Sequence, residues 1–219
     1  DKHWLVVVDY TYSNSNRTSL NSSIRSLIDI IKQKPDSAIS FENIFGGSFF
    51  AIVYQKQSNT TWAARDIVGG KTGFYAIDRQ GSIFVGTIMH DVASSLSERT
   101  LKLQSAASLH AIQYIKDGSS MYDNVDEVRA GSIVQIDTRL NHVTTIYQHT
   151  LSLAYQDNCW SEKKNTQLLR SLILESHAKR CSNDNVVLLS GGIDSAVMLC
   201  ALREVAGSNQ VTALSYKLK

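Results

Sequence analysis

Cysteine is scarce in this sequence, and the three present (Cys159, Cys181 and Cys200) come late and in odd number. That excludes a disulfide framework and points to free thiols in a reducing, cytoplasmic setting. Charge of one sign is also lacking. There are 22 basic and 20 acidic residues, a net charge of +2, so nothing favours a nucleic acid or an acidic membrane surface as partner. No apolar run approaches the ~18 residues of a membrane-spanning helix. The six histidines show no metal-ligand spacing. Three Asn-x-Ser/Thr patterns, at Asn16, Asn21 and Asn59, accompany no signal-peptide pattern and are expected to be fortuitous. The chain opens at Asp1 and stops at Lys219 after a strand-like run, so a longer protein is expected.

What is present is a core-forming chain of 219 residues, 43% hydrophobic. Residues 3–10 (HWLVVVDY) have the β-branched and aromatic content of a buried strand. Ile24, Leu27, Ile28 and Ile31 form one stripe of an amphipathic helix, with Pro35 beyond its end. Short strands are then expected over residues 48–55, 62–67, 74–77 and 82–88, read together as an antiparallel meander. Residues 100–116 have mixed helical character. Residues 132–137 and 142–148 read as a hairpin around Arg139-Leu140-Asn141.

The pattern changes past residue 150. Leu168, Leu169, Leu172, Ile173 and Ser176 share a helical face within residues 167–179. Residues 186–189 are wholly apolar, as in a strand buried on both faces. A helix over residues 193–205 and a strand over 211–216 complete a parallel βαβ unit. The expected organisation is therefore an antiparallel, helix-bearing domain over residues 1–150 and the start of a parallel α/β domain over 160–219.

Between that strand and helix lies Ser190-Gly191-Gly192-Ile193-Asp194-Ser195. Two glycines let backbone N–H groups approach phosphate oxygens closely, and the helix behind them offers unpaired N–H groups and its positive dipole end. Ser190 and Ser195 add hydroxyls. Asp194 would repel a polyphosphate unless it holds Mg²⁺, so it is the candidate metal ligand. A competing Gly69-Gly70-Lys71-Thr72 lacks the first glycine of a Walker A loop, because position 65 is Arg65. Arg65-Asp66 reads as a buried ion pair or turn-stabilising contact rather than a catalytic one. His90, Asp91 and His110 read as surface groups, Cys200 as a small core residue, and Trp4, Trp62 and Trp160 as core or interface fillers.

The six-residue loop resembles the PP-loop of ATP pyrophosphatases. Gly47 to Tyr54 (GSFFAIVY) and Ala63 to Ala76 (AARDIVGGKTGFYA), with Leu168 to Ser176 ahead of the loop, resemble asparagine synthetase B and its relatives over about residues 40–219. The resemblance implies an N-terminal glutaminase-like domain of Ntn-hydrolase fold, followed by an adenine nucleotide α hydrolase-like synthetase domain. It implies ATP and Mg²⁺ as cofactors and activation of a substrate carboxylate as an acyl-adenylate. By position it assigns Ser190, Gly191, Gly192, Asp194 and Ser195 to the phosphates, Asp194 to the metal, and Leu189 and Ser215 to backbone contact with adenine. It assigns no catalytic residue here.

The sequence departs from the family in the glutaminase. No cysteine precedes Cys159, an Asn-Gly pair is missing from residues 8–14, and Leu20-Asn21-Ser22-Ser23 stands where an aspartate should open the first helix. Such losses are found in β-lactam synthetases and lasso-peptide cyclases, whose amine comes from the substrate. The expected function is an ATP-dependent amide-forming ligase acting within one peptide or small amino-acid derivative, with a homodimer or a biosynthetic partner protein as its association. The alternatives are a glutamine-dependent asparagine synthetase with a divergent first domain, or a non-catalytic degenerate fragment or partner protein.

Overall fold

The computed structural model describes residues 3–11, 20–33, 44–45, 47–115, 118–137, 142–149 and 160–216. Cys159, Pro35 and the hairpin tip Arg139-Leu140-Asn141 lie outside them. The chain is mixed α/β and divides into two compact units, the first holding described residues 3–11 and 20–149, the second 160–216.

The first unit is built on a five-stranded antiparallel sheet. Its strands are β1 (Trp4–Tyr10), β2 (Phe49–Gln55), β3 (Thr60–Arg65), β7 (Ser132–Asp137) and β8 (His142–Gln148), in the order β1-β2-β3-β7-β8. Successive side chains of a strand point to opposite faces, so a strand covered on both sides must be apolar at every position. β2 meets that demand from Phe49 to Val53. Phe49, Ala51 and Val53 join a core with Leu27, Ile30 and Ile31 of helix α1 (Leu20–Gln33), while Phe50 joins Ala63, Val134 and Ile136 in a second core on the other face. That second core also takes Tyr75, Ile77, Ile83 and Val85 from a three-stranded sheet of β4 (Phe74–Ile77), β5 (Ile83–Gly86) and β6 (Val125–Glu127), ordered β5-β4-β6. Helix α2 (Met89–Ser94) closes a third core, placing Val92 and Ala93 against Ala76 and Val125. The layers run helix, sheet, sheet, helix.

The expected meander is therefore two hairpins in different sheets. β2 and β3 pair in one, β4 and β5 in the other. In the second hairpin Asp78 Oδ1 accepts from the N–H groups of Gln80 (2.9 Å) and Ser82 (2.7 Å), which holds its carboxyl below the ordinary range. Between β3 and β4 the chain crosses from one sheet to the other, and two buried ions fix that crossing. Asp66 accepts four backbone N–H bonds, from Phe49 (3.2 Å), Val68 (3.1 Å), Gly70 (3.0 Å) and Lys71 (3.1 Å). Arg65 donates to the carbonyls of Lys71, Gly69 (3.1 Å) and Val128 (2.8 Å) and pairs with Glu127 on β6. The chain passes close to the core here. A Cβ on Gly73 would lie 2.0 Å from the Phe50 ring.

The second unit has a parallel strand pair. Helix α4 (Glu162–Ala178) begins at Ser161, whose side chain accepts from Lys164 N–H. β9 (Asn185–Leu188), helix α5 (Ile193–Ala206) and β10 (Val211–Leu214) form a βαβ unit, with Val211 beside Asn185 and Leu214 beside Leu188. Arg170 on α4 donates to both carboxylate oxygens of Glu204 on α5, at 2.7 Å each. Burial on both faces of β9 is not found. Val187 is buried, but Val186 is 61% and Leu188 75% exposed. β9 has β10 as its neighbour in the sheet, and the side chains on one face of the pair meet no covering layer among the described residues. Cys200, expected in a core, is exposed on α5. Trp160, expected as a filler, lies half-exposed with the Lys164 ammonium 4.3 Å from its ring centre. Trp62 is buried and meets Trp4 at 5.8 Å between ring centres.

Two predictions follow from the first unit. Gly73→Ala is expected to cost about 1–3 kcal/mol, since neither the backbone nor Phe50 can yield freely in a packed core; urea denaturation measures it. Asp126, on β6, is exposed at its outer edge, but the protein around it withdraws part of its hydration, which raises its carboxyl above the ordinary range although Lys102 acts in the opposite direction. A raised carboxyl binds its proton better in the folded state, so its contribution is present at low pH and is lost as pH rises through the folded value. Asp126→Asn is expected to raise stability at pH 7 and to change it little at pH 3, by denaturation at the two pH values.

Candidate phosphate-binding loop

The loop begins where β9 ends. Leu189 N–H donates to Leu214 O at 2.7 Å, which prolongs the strand pairing by one bond and fixes the direction in which the chain leaves the sheet. Of Leu189's two backbone groups, the carbonyl is thus the one left for a ligand. Ser215 follows β10 directly and is exposed, at the same end of the strand pair.

Gly191 turns the chain with φ +85°, a conformation that costs an L side chain energy, and a Cβ there would meet nothing within 4 Å. Gly192 is the N-cap of α5, with φ −80° and ψ 160°, and no side chain caps the helix. A helix start leaves its first N–H groups without intrahelical partners and carries a positive dipole end. The first helical bond runs from Ala196 N–H to Gly192 O (3.2 Å). Ser190 and Ser195 meet across the turn with their hydroxyls 3.2 Å apart. Ser195 Oγ also accepts from Ser190 N–H (3.3 Å) and donates to Gly192 O (3.0 Å). Ser190 Oγ accepts from Gly192 N–H at 3.4 Å.

The sequence placed both serines as donors to a ligand; the structure adds that they bind each other first. The signal was available in the spacing, because a serine in the first turn of a helix can reach back over a two-glycine turn. Asp194 lies in the same first turn, where an acid also complements the dipole. No cluster of three His, Cys, Asp or Glu side chains suited to a metal occurs among the described residues. Asp194 fits Mg²⁺ only as one protein carboxylate beside substrate phosphates and water, which is a usual Mg²⁺ arrangement. All of Ser190 to Asp194 is exposed, and Ser195 partly so.

The other candidates are accounted for. Arg65 and Asp66 are buried and saturated by partners inside the first unit, so they hold structure. Lys71 lies in the connection after β3 and pairs with Asp9 at 2.9 Å; no helix follows it. Leu20 to Ser23 open α1 without an acidic residue in the first turn, and Ser23 Oγ accepts from Phe45 N–H at 3.3 Å. His90 contacts the Tyr122 hydroxyl at 3.0 Å at the surface.

No protein-family model matches the chain, and no curated protein matches it. Among solved structures it is similar to glutamine phosphoribosylpyrophosphate (PRPP) amidotransferase from B. subtilis, complexed with ADP and GMP, at 12% identity and a TM-score of 0.32. The match covers 98% of this chain, which spans 45% of that one. A similarity of that size carries no argument about fold or function. Among the described residues, no helix is long and apolar enough to cross a membrane.

The loop's conformation gives its own test. Gly191→Ala is expected to destabilise the second unit by about 1 kcal/mol through backbone conformation alone, as the site has room for a methyl group. Hydrogen exchange of the α5 amides reads the change.

Proposed function

We propose that the chain is part of an ATP-dependent carbon–nitrogen ligase of asparagine synthetase-like type. Loop 190–195 binds the polyphosphate of ATP, and Asp194 takes a share of a Mg²⁺ ion that neutralises the phosphate charge. A substrate carboxylate oxygen attacks the α-phosphorus and pyrophosphate leaves. An amine then attacks the acyl carbon and AMP leaves. The observation that supports this reading is the parallel strand–turn–helix of β9, Ser190–Gly192 and α5, with an uncapped helix start beside two serine hydroxyls. Leu189 through its carbonyl and Ser215 through its backbone would border the adenine.

The first unit, in this reading, is a glutaminase-like domain that has lost its chemistry, consistent with its helix–sheet–sheet–helix layers. With no acid opening α1, the amine is that of the substrate itself, and an amide closes within one peptide or amino-acid derivative.

ATP binding with Mg²⁺, and ATP–pyrophosphate exchange over a panel of carboxylates, test the proposal. Ser190→Ala is expected to weaken nucleotide binding about 10- to 100-fold, as befits loss of a hydrogen bond to a charged group. Asp194→Asn is expected to remove its Mg²⁺ dependence. Glutamine should yield no glutamate. Failure to bind ATP in the presence of Mg²⁺, or steady glutamate release, overturns the reading.

A further inference from the structure

We draw no further inference here: the strongest candidate, the bare face of the β9–β10 pair in the second unit that carries Val186, Leu188 and Leu214, has, like the exposed side of helix α3 (Leu103–Ile112), nothing in the structure to show what covers it.

Discussion

The Asp66 carboxylate is the contact on which the first unit depends. Its four backbone donors come from the start of β2 and from the tight turn that follows β3. No neutral side chain has the acceptor capacity to replace it, and one of the donors it would release, the Phe49 N–H, belongs to a buried residue. Arg65, its neighbour in sequence, points to the other face of the sheet and closes the same turn from beyond, through Glu127 and Val128. One dipeptide thus clamps both sheets. Lys71 and Asp9 extend the clamp to β1. A pair of charges this deep is expensive to desolvate, and the cost is offset by bonds that run mostly to backbone groups of the turn and of β2.

The two units differ in how far their apolar surface is covered. The first has three cores and covers both faces of its central strands β2, β3 and β7, although Leu5 and Val7 of the edge strand β1 stay exposed. The second buries Val187 and Ala201 and leaves Val186, Leu188 and Leu214 bare. Hydrophobic stabilisation follows the area withdrawn from water, so the second unit is at the low end of local stability. Its helices are joined by the Arg170–Glu204 pair, which is exposed and contributes little in water.

Much of this was legible in the sequence, and what was missed has physical reasons. α1 follows from the spacing of Ile24, Leu27, Ile28 and Ile31, and most strands follow from β-branched runs between turn residues. The parallel pair β9–β10 follows from an apolar run, a helix and a second apolar run. The meander did not survive, because adjacent strands were assigned to one sheet by proximity in sequence while the Arg65–Asp66 clamp redirects the chain. β6 is three residues long, too short for any periodicity, and it takes its place by pairing with β4. Cys200 was placed inside on residue type alone; type reports preference, and burial depends on what the fold brings alongside. The loop residues Ser190 to Ser195 were readable as a set, but not their bonds to one another.

Those bonds bear on selectivity. With its proton on Gly192 O, the Ser195 hydroxyl is already occupied, and so is the lone pair that Ser190 offers Gly192 N–H. Any ligand that claims them must first displace short-range partners of comparable strength. A neutral carbonyl or alcohol would gain almost nothing from the exchange, whereas a group with several negatively charged oxygens exceeds what it displaces. If the loop binds ATP as proposed, the resting turn would act as a threshold, raising the minimum charge a ligand needs before it displaces these bonds.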